Sequence, residues 1–235
     1  MQNNFQIITK YWGKLNPLKI EDYLNVGGYV ALKKFISKMK PKEVIIEIKK
    51  AKLVGRGGAG FPTGEKMEKV FQRLGKKYLI CNLVEAEPGN YKDRIICDKN
   101  PHLLLEGIII SALAVGAEKA YVYINGGYKK QKFILDQAIK QAYQKNFLGK
   151  KILNSQYNLE IEIFFGANDY ICGEETALIN SMEGNRCEPK IRPPYPTEKG
   201  LFGKPTLVDN VETLTNIPWI INNGGDKFRS IFSSG

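Results

Sequence analysis

A chain of 235 residues is long enough to bury a substantial core, and its 43% hydrophobic and 25% charged residues are typical of a soluble globular protein. It lacks both an apolar run of the ~18 residues that a membrane span needs and a secretory signal at its start, so we expect a cytoplasmic protein without a direct membrane span. The net charge of +11 comes mainly from lysines in residues 1–52, and arginine, which is best suited to reading bases, first occurs at Arg56; this favours a solvated basic surface over specific nucleic-acid binding.

The first third of the chain is predicted to be helical around one loop. We interpret residues 1–19 as an N-terminal extension and predict two helices, Ile20–Met39 and Pro41–Lys52. The second has apolar residues along one face, and its proline suits a first helical position, where a backbone N–H would have no partner within the helix. Gly55–Gly64 is predicted as a loop and Glu65–Leu74 as a short helix.

The middle of the chain alternates strands with helices. The apolar run Tyr78–Val84 predicts a buried strand, which ends in the acidic turn Glu85–Asn90. A strongly apolar helix is predicted at Pro101–Val115, a second strand at Ala120–Asn125 and a helix of mixed charge at Lys129–Gln144.

The last third contains a third strand and two more helices. The polar–apolar alternation of Leu159–Phe165 predicts the strand, and Gly173–Gly184 is predicted to be helical. Prolines and glycines interrupt Asn185–Pro205, which we predict to be irregular, and Asn210–Ile221 is the final helix.

This order predicts an α/β fold, in which a sheet carries helices on its faces. We expect one domain over residues 20–221. The polar, glycine-rich residues 222–235 resemble a linker that leads to a further domain.

The cysteines do not form a metal-binding pattern. Cys81, Cys97, Cys172 and Cys187 are far apart, no C-x-x-C pair occurs, and His102 is the only histidine. Zinc and iron–sulfur sites need closely spaced ligands, so we expect reduced, mostly buried thiols and no metal or iron–sulfur ligands in this chain.

The most prominent motif is the glycine-rich loop Gly55–Gly64, which has five glycines in ten residues and contains G-x-G-x-x-G. Glycines let backbone N–H groups approach a phosphate closely, and Arg56 and Lys66 add positive charge nearby. The dinucleotide fingerprint of this pattern follows a strand, whereas a helix is predicted here, so a purely structural turn is the alternative.

Acidic residues follow two of the predicted strands. Glu85 and Glu87 come after the first strand, where they could accept hydrogen bonds from ribose hydroxyls; an exposed acidic turn is the simpler alternative. Glu174 and Glu175 lie in the first turn of a helix, where its dipole alone would favour negative charge. Asn210 is a candidate cap for the last helix, whose N-terminus is a ready anion site.

Five segments together are far more specific than any one of these motifs. They are GRGGAGFPTGEK, CNLVEAEPGNYKDR, PHLLLEGIIISA, YICGEETALINSMEG and GKPTLVDNVETL. In order and spacing, from Ile20 to Ile221, the chain resembles the flavin- and NADH-binding subunit of respiratory complex I. It is equally similar to the related diaphorase subunits of NAD-linked hydrogenases and formate dehydrogenases.

The resemblance implies a Rossmann-like sheet flanked by helices that binds FMN and oxidises NADH. No side chain is expected to be catalytic, since the flavin itself accepts the hydride, and the electrons pass to iron–sulfur centres on partner subunits. The family's cofactor-binding positions correspond to Gly55, Arg56, Gly57, Gly58, Lys66, Asn82, Glu85, Tyr170, Gly173, Glu174, Asp209 and Asn210. Its nicotinamide-nucleotide positions correspond to Phe61, Glu87, Glu175 and Tyr195.

Three positions depart from the family pattern. Val84 replaces a usual aspartate, Asp209 replaces a usual asparagine, and Lys69 replaces an aromatic residue that often stacks on adenine. Lys69 leaves NADPH open as a donor, and the three together leave open a non-catalytic assembly subunit that keeps the fold. A classical Rossmann dehydrogenase is a weaker alternative.

The resemblance extends only to the N-terminal flavin domain. Family members continue into a ubiquitin-like domain and a helical domain with iron–sulfur ligands, so we expect either a split subunit or a truncated one. Partner subunits would place the protein at the inner face of a membrane, and the final electron acceptor is not predicted because several complexes share this domain.

Overall fold

A computed structural model of the chain describes residues 6–232. Its fold is built on a parallel four-stranded sheet. Its strands are β1 (Tyr78–Leu83), β2 (Lys119–Ile124), β3 (Glu160–Phe165) and β4 (Thr206–Asn210). They lie in the order β3-β2-β1-β4, and all neighbouring pairs are parallel. The α/β fold class predicted from the sequence is confirmed.

The strand β4 was missed by the sequence analysis, which predicted an irregular segment that leads directly into a helix. β4 pairs with β1 over its whole length, with Cys81 opposite Asp209 and Asn82 opposite Asn210. Five residues are too few for a clear alternation, so the pairing with the central strand decides the conformation. As a result the carboxyl ends of two adjacent strands, β1 and β4, lie side by side.

Four helices precede or follow the glycine-rich loop: α1 (Ile20–Asn25), α2 (Val30–Lys38), α3 (Pro41–Lys50) and α4 (Thr63–Phe71). The prediction of one continuous helix over Ile20–Met39 was wrong, because the chain breaks at Gly27 and Gly28. Gly27 has a φ of +90°, and a Cβ at Gly28 would lie 2.2 Å from the Tyr23 ring. A helix does precede the loop, as predicted.

Three more helices connect the strands: α5 (Lys92–Lys99), α6 (Pro101–Val115) and α7 (Lys129–Gln144). The helix α5 was not predicted, since the sequence indicated only a turn there. The side chain of Asn100 accepts a hydrogen bond from the Leu103 N–H and so caps α6, and Pro101 occupies its first turn.

The C-terminal third contains α8 (Glu175–Met182), α9 (Pro196–Lys199), α10 (Val211–Asn223) and α11 (Gly225–Phe232). Part of the segment 222–235, which we interpreted as linker-like, forms α11, whose first amide donates to Glu47 Oε2 at 2.8 Å. The domain boundaries themselves stay a prediction.

The two faces of the sheet bury different clusters. Leu79, Cys81 and Leu83 of β1 face the larger one, which includes most of α6 and the inner sides of the N-terminal helices and α10. Tyr78 and Ile80 face a smaller cluster formed with α8. This alternation is expected for a strand covered on both sides.

No helix within residues 6–232 is long and apolar enough to cross a membrane.

The expectation of four reduced thiols is wrong for two of them. Cys172 and Cys187 form a disulfide, with Cα atoms 5.9 Å apart. Cys81 and Cys97 are free and buried, as expected, and burial raises the pKa of both thiols. The free pair is therefore protonated and unreactive near neutral pH.

Candidate functional site

A cleft of about 540 Å³ lies at the carboxyl ends of β1 and β4. Its size is within the range of small-molecule sites, and carboxyl ends of parallel strands are where such sites form. The cleft is lined by Gly55, Gly57, Ala59, Gly60, Phe61, Lys66, Lys69, Asn82, Gly173, Glu174, Glu175, Arg192, Tyr195, Pro196, Thr197, Thr206, Val208, Asp209 and Asn210.

The structure brings most of the predicted site residues together in this cleft. The exceptions are Arg56, Gly58, Glu85, Glu87 and Tyr170, which are not part of its lining. For the predicted residues inside the lining and for those outside it, a role in ligand binding stays a prediction.

The glycine-rich loop forms one wall of the cleft. Its base is closed by the Gly55 N–H, which donates to the Phe61 carbonyl at 2.8 Å, and by the Thr63 N–H, which donates to the Leu53 carbonyl at 2.8 Å. The Arg56 N–H donates to Thr213 Oγ1 of α10, which ties the start of the loop to that helix. Gly58 takes a φ of +113°, a conformation that favours glycine.

Close packing also explains a second glycine of this wall. A Cβ at Gly57 would meet the Cβ of Asn210 at 3.4 Å and would project into the narrow space between loop and strand end. Four of the seven residues from Gly55 to Phe61 are glycines, so this wall carries few side chains that would hinder the approach of a phosphate.

Lys66 lies at the floor of the cleft between two carboxylates. Its Nζ donates to the Val208 carbonyl at 2.9 Å and lies 3.5 Å from Asp209 Oδ1 and 3.8 Å from Glu175 Oε2. Arg192, 3.0 Å from Glu175, balances the second carboxylate from the other side. The floor is thus an extended ion-pair network.

Asp209 is the most buried group of this network. Burial raises the pKa of its carboxyl to about 6, although Lys66 acts in the opposite direction and Glu175 adds to the increase. Its Oδ2 is buried and has no hydrogen-bond partner among residues 6–232. Buried polar atoms are normally paired, so an ionised carboxylate is costly at this position.

Two asparagines at the strand ends form the other wall. Asn82 Nδ2 donates to the Gly173 carbonyl at 2.9 Å, and Asn82 Oδ1 accepts from the Val84 N–H at 3.1 Å. Asn210 Oδ1 accepts from the Glu212 N–H at 3.0 Å, which confirms that Asn210 caps the last helix.

The sequence analysis missed residues that support Asn210. Lys92 Nζ donates to Asn210 Oδ1 at 2.9 Å, and Asn210 Nδ2 donates to the buried Asp93 at 2.6 Å. Both residues belong to α5, and the segment GNYKDR that contains them was noted without a role. Arg192 was missed because it lies in an irregular segment that has no periodicity to interpret.

The acidic residues of the turn, Glu85 and Glu87, make their contacts outside the cleft lining. Both carboxylate oxygens of Glu85 accept backbone hydrogen bonds at the start of α5, from Asp93 at 2.6 Å and Arg94 at 3.0 Å. Glu87 is exposed and accepts a hydrogen bond from Tyr170 Oη at 2.8 Å. Val84 is buried beneath the turn and does not line the cleft.

The mouth of the cleft carries two exposed aromatic rings with a lysine between them. Lys69 Nζ lies 5.3 Å from the Phe61 ring centre and 5.9 Å from that of Tyr195. Phe61 is 42% and Tyr195 49% exposed, so both rings are accessible to a planar ligand. Within the described part of the chain, Lys69 has no carboxylate at ion-pair distance.

A family profile described as the Nuo51 FMN-binding domain matches residues 48–219, which include the whole cleft. The chain belongs to this family. The resemblance found in the sequence is confirmed, and the cofactor it implied, FMN, is the one that the family description names.

The relatives of this FMN-binding domain agree with that assignment. The chain is 55% identical to the F subunit of NADH-quinone oxidoreductase from Aquifex aeolicus, over 98% of this chain and 54% of the relative. It is 43% identical to the Escherichia coli protein of the same name, over 93% of this chain and 49% of the relative. The chain thus spans about half the length of the curated relatives it matches.

A solved structure shares the same fold. The crystal structure of an NAD⁺-reducing [NiFe]-hydrogenase in the H2-reduced state superposes with a TM-score of 0.75 and 33% identity, covering 94% of this chain and 35% of that one. The complex I flavin-subunit type of fold is therefore confirmed.

The residues of the cleft fit FMN in most respects. The glycines of the loop and Lys66 suit a phosphate, and the second N–H of the Asn82 and Asn210 amides suits a polar atom of a flavin ring. The misfit is charge, since Lys66 already faces two carboxylates. The residues from 6 to 232 contain no group of three or more His, Cys, Asp or Glu side chains arranged to hold a metal ion.

Proposed function

We propose that this domain binds FMN in the cleft and oxidises NADH as part of a larger dehydrogenase complex. FMN held in the cleft would supply the redox chemistry, which is hydride acceptance from the reduced nicotinamide and single-electron transfer to iron–sulfur centres on partner subunits. The observation that carries the proposal is the convergence of four distant segments on one cleft, in a chain whose family is FMN-binding.

The residues of this chain bind the cofactor and the nucleotide and orient them. The glycine-rich loop and Lys66 hold the cofactor's phosphate, and the amides of Asn82 and Asn210 hydrogen-bond its polar atoms. Phe61 and Tyr195 flank the nucleotide at the mouth, where aromatic faces stack on a base. No side chain needs to move a proton to the reacting atoms, since orientation of two planar rings is the main requirement.

The environment of the domain follows from the relatives. Proteins named for NADH-quinone oxidoreductase and a hydrogenase that reduces NAD⁺ suggest a partner that carries the electrons onward. We place the domain in the cytoplasm, at the inner face of a membrane through its partners. The domain boundaries at 20 and 221 belong to the same proposal.

The test is an anaerobic titration. The purified chain is loaded with FMN, unbound FMN is removed, and NADH is added while flavin absorbance near its visible maximum is followed. We expect the protein to retain FMN and the absorbance to bleach with about one NADH per flavin. A protein that retains no FMN, or a flavin that NADH does not bleach, contradicts the proposal and favours a subunit that serves assembly alone.

A matched pair of variants ties the result to the cleft. Lys66→Met removes the cation at the floor, and Lys76→Met removes a lysine that lies against Tyr78, outside the cleft lining. We expect Lys66→Met to weaken FMN binding at least tenfold, a typical loss for one charged hydrogen bond, and Lys76→Met to bind like the unaltered chain.

Lys69 favours a second candidate, in which NADPH is the donor. A 2′-phosphate beside the adenine would bring negative charge to the mouth, where Lys69 has no carboxylate partner within residues 6–232. The titration is therefore repeated with NADPH, and the nucleotide that bleaches the flavin at the lower concentration is the donor.

A further inference from the structure

At the floor of the cleft, one lysine faces two carboxylates. Lys66 is the cation shared by Asp209 and Glu175, whose side chains are 2% and 23% exposed. Arg192 balances Glu175, but it is itself 41% exposed and screened by solvent. A phosphate dianion that enters here meets a lysine whose charge is already matched, so binding needs a further positive charge or the loss of a negative one.

Asp209 is the group best placed to lose its charge. Lys66 of α4 and Glu175 of α8 are the charges that act on it. Cys81, its partner on β1, is a buried neutral thiol, and the acids of α9 and α10 point elsewhere, Glu198 to Arg73 and Glu212 to Lys92. Burial has already brought the pKa of Asp209 to about 6.

The two carboxyl oxygens of Asp209 have different surroundings. Its Oδ1 faces Lys66 at 3.5 Å, whereas the buried Oδ2 has no partner in the described structure. A carboxylate can only accept hydrogen bonds, and so repels phosphate oxygens. A neutral carboxylic acid removes this repulsion and leaves the charge of Lys66 to the phosphate.

We propose that Asp209 takes up one proton from solvent when the cleft binds FMN, and that the neutral carboxyl leaves the charge of Lys66 to the cofactor's phosphate. This inference rests on the proposed function. No covalent bond changes in the cofactor: the proton moves from solvent to a carboxylate oxygen, and the net charge of the floor rises by one as the dianion enters.

Proton uptake makes FMN binding depend on pH. Above pH 6, Asp209 is ionised in the empty cleft, so each increase of one pH unit should weaken FMN binding about tenfold, the slope for one proton. Below pH 6 the carboxyl is already neutral and this dependence ends. Riboflavin, which lacks the phosphate, should show little of it.

The experiment measures FMN affinity of the full chain by fluorescence quenching from pH 6.5 to 8.5. Proton uptake is measured at pH 8 by calorimetry in two buffers of different ionisation enthalpy. Free FMN is mainly a dianion at pH 8, but its phosphate can also gain a proton on binding, so Asp209→Asn is the decisive variant. Glu198→Gln, which removes a carboxylate that pairs with Arg73 outside the cleft lining, is the matched control.

For the unaltered chain we expect about one proton taken up and a tenfold weaker affinity per pH unit. Asp209→Asn should take up almost none, lose the pH dependence and bind FMN at least tenfold more tightly at pH 8. Glu198→Gln should retain the uptake. The riboflavin comparison uses the unaltered chain and so does not depend on how the variants fold.

Different failures have different meanings. FMN binding without proton uptake, or uptake that persists in Asp209→Asn or is equal for riboflavin, overturns the inference and leaves the proposed function intact. Absence of FMN binding at every pH overturns both.

Discussion

Lys69 is positioned to influence which nucleotide the domain accepts. Its ammonium lies between the rings of Phe61 and Tyr195, and ring faces attract a cation without neutralising it. A base stacked on either ring would have its ribose close by, within reach of the lysine. The residue therefore attracts a phosphate on that ribose, while NADH offers it only hydroxyl groups.

We expect Lys69→Met to lower kcat/KM for NADPH about tenfold relative to kcat/KM for NADH, the loss typical of one charged hydrogen bond. The ratio of the two constants is measured with FMN-loaded protein and an artificial electron acceptor. The ratio is more informative than either constant, because a general disturbance of the mouth lowers both.

Lys76→Met is the control for this variant, since Lys76 makes a similar contact of 5.3 Å with the Tyr78 ring outside the cleft lining. It should leave the ratio unchanged. An unchanged ratio in Lys69→Met as well would show that the lysine does not contact the ribose substituent.

At the scale of residues, the sequence predicted the site where a motif is contiguous. The glycine loop, Asn82, Gly173 and Asn210 each lie at a chain reversal or strand end, so local pattern located them, and all line the cleft. Their partners could not be found in this way. Asp93 meets Asn210 and Arg192 meets Glu175 only after segments far apart in sequence have packed together.

At the scale of elements, α6 and α10 pack unusually closely. A Cβ at Gly107 of α6 would lie 2.0 Å from the carbonyl oxygen of Leu214 in α10. The glycine lowers the intrinsic helix propensity of α6, and the close approach of the two helices offsets that loss. Since α10 begins directly after Asn210, this contact also positions one wall of the cleft.

We expect Gly107→Ala to lower the free energy of unfolding by about 3 kcal/mol or more, because the methyl group meets a backbone atom that cannot rotate away. Urea denaturation followed by circular dichroism measures the change. Gly173→Ala is the control: its Cβ would lie 3.8 Å from Val84, an ordinary contact, and we expect a change below about 1 kcal/mol. Equal stability of the two variants would mean that α6 and α10 can separate without cost.

The elements that the sequence missed have weak local signals. The helix α5 is short and highly charged, and its N-terminus is capped by Glu85, eight residues before Asp93. Within the segment 222–235 that we interpreted as linker-like, residues 225–232 form α11, which is stabilised by contacts with α3, such as the Gly225 amide on Glu47, rather than by its own composition. Tertiary contacts therefore override local propensity at these places.

At the scale of the whole molecule, a buried polar cluster joins the N-terminal helices to α6. Glu106 accepts hydrogen bonds from Tyr23 Oη at 2.6 Å and from the Tyr29 N–H at 2.9 Å. His102, one turn earlier, lies 3.0 Å from both Tyr29 Oη and Gln141 Oε1. Burial lowers the pKa of His102 to about 4 and raises that of Glu106, so both groups resist ionisation in the fold.

Two buried groups give the stability opposite dependences on pH. His102 has a folded pKa of about 4 against 6.5, so the unfolded state binds more protons and stability is lost as pH falls from 6.5 to 4. Asp209 has a folded pKa of about 6 against 3.8, so the native state binds more protons and stability is gained as pH falls from 6 to 3.8. Each difference in pKa between the folded and unfolded states corresponds to roughly 3 kcal/mol in the free energy of unfolding.

Single variants should separate the two effects in urea denaturation of the FMN-free chain from pH 4 to 8. Relative to the unaltered chain, Asp209→Asn should gain stability at pH 8 and lose that advantage by pH 4. His102→Gln, whose side chain does not titrate, should gain stability relative to the unaltered chain as the pH falls from 6.5 to 4. Because other carboxylates titrate in the same range, only these differences from the unaltered chain are diagnostic. Parallel profiles for all three proteins would mean that neither group is held away from its ordinary pKa in the native state.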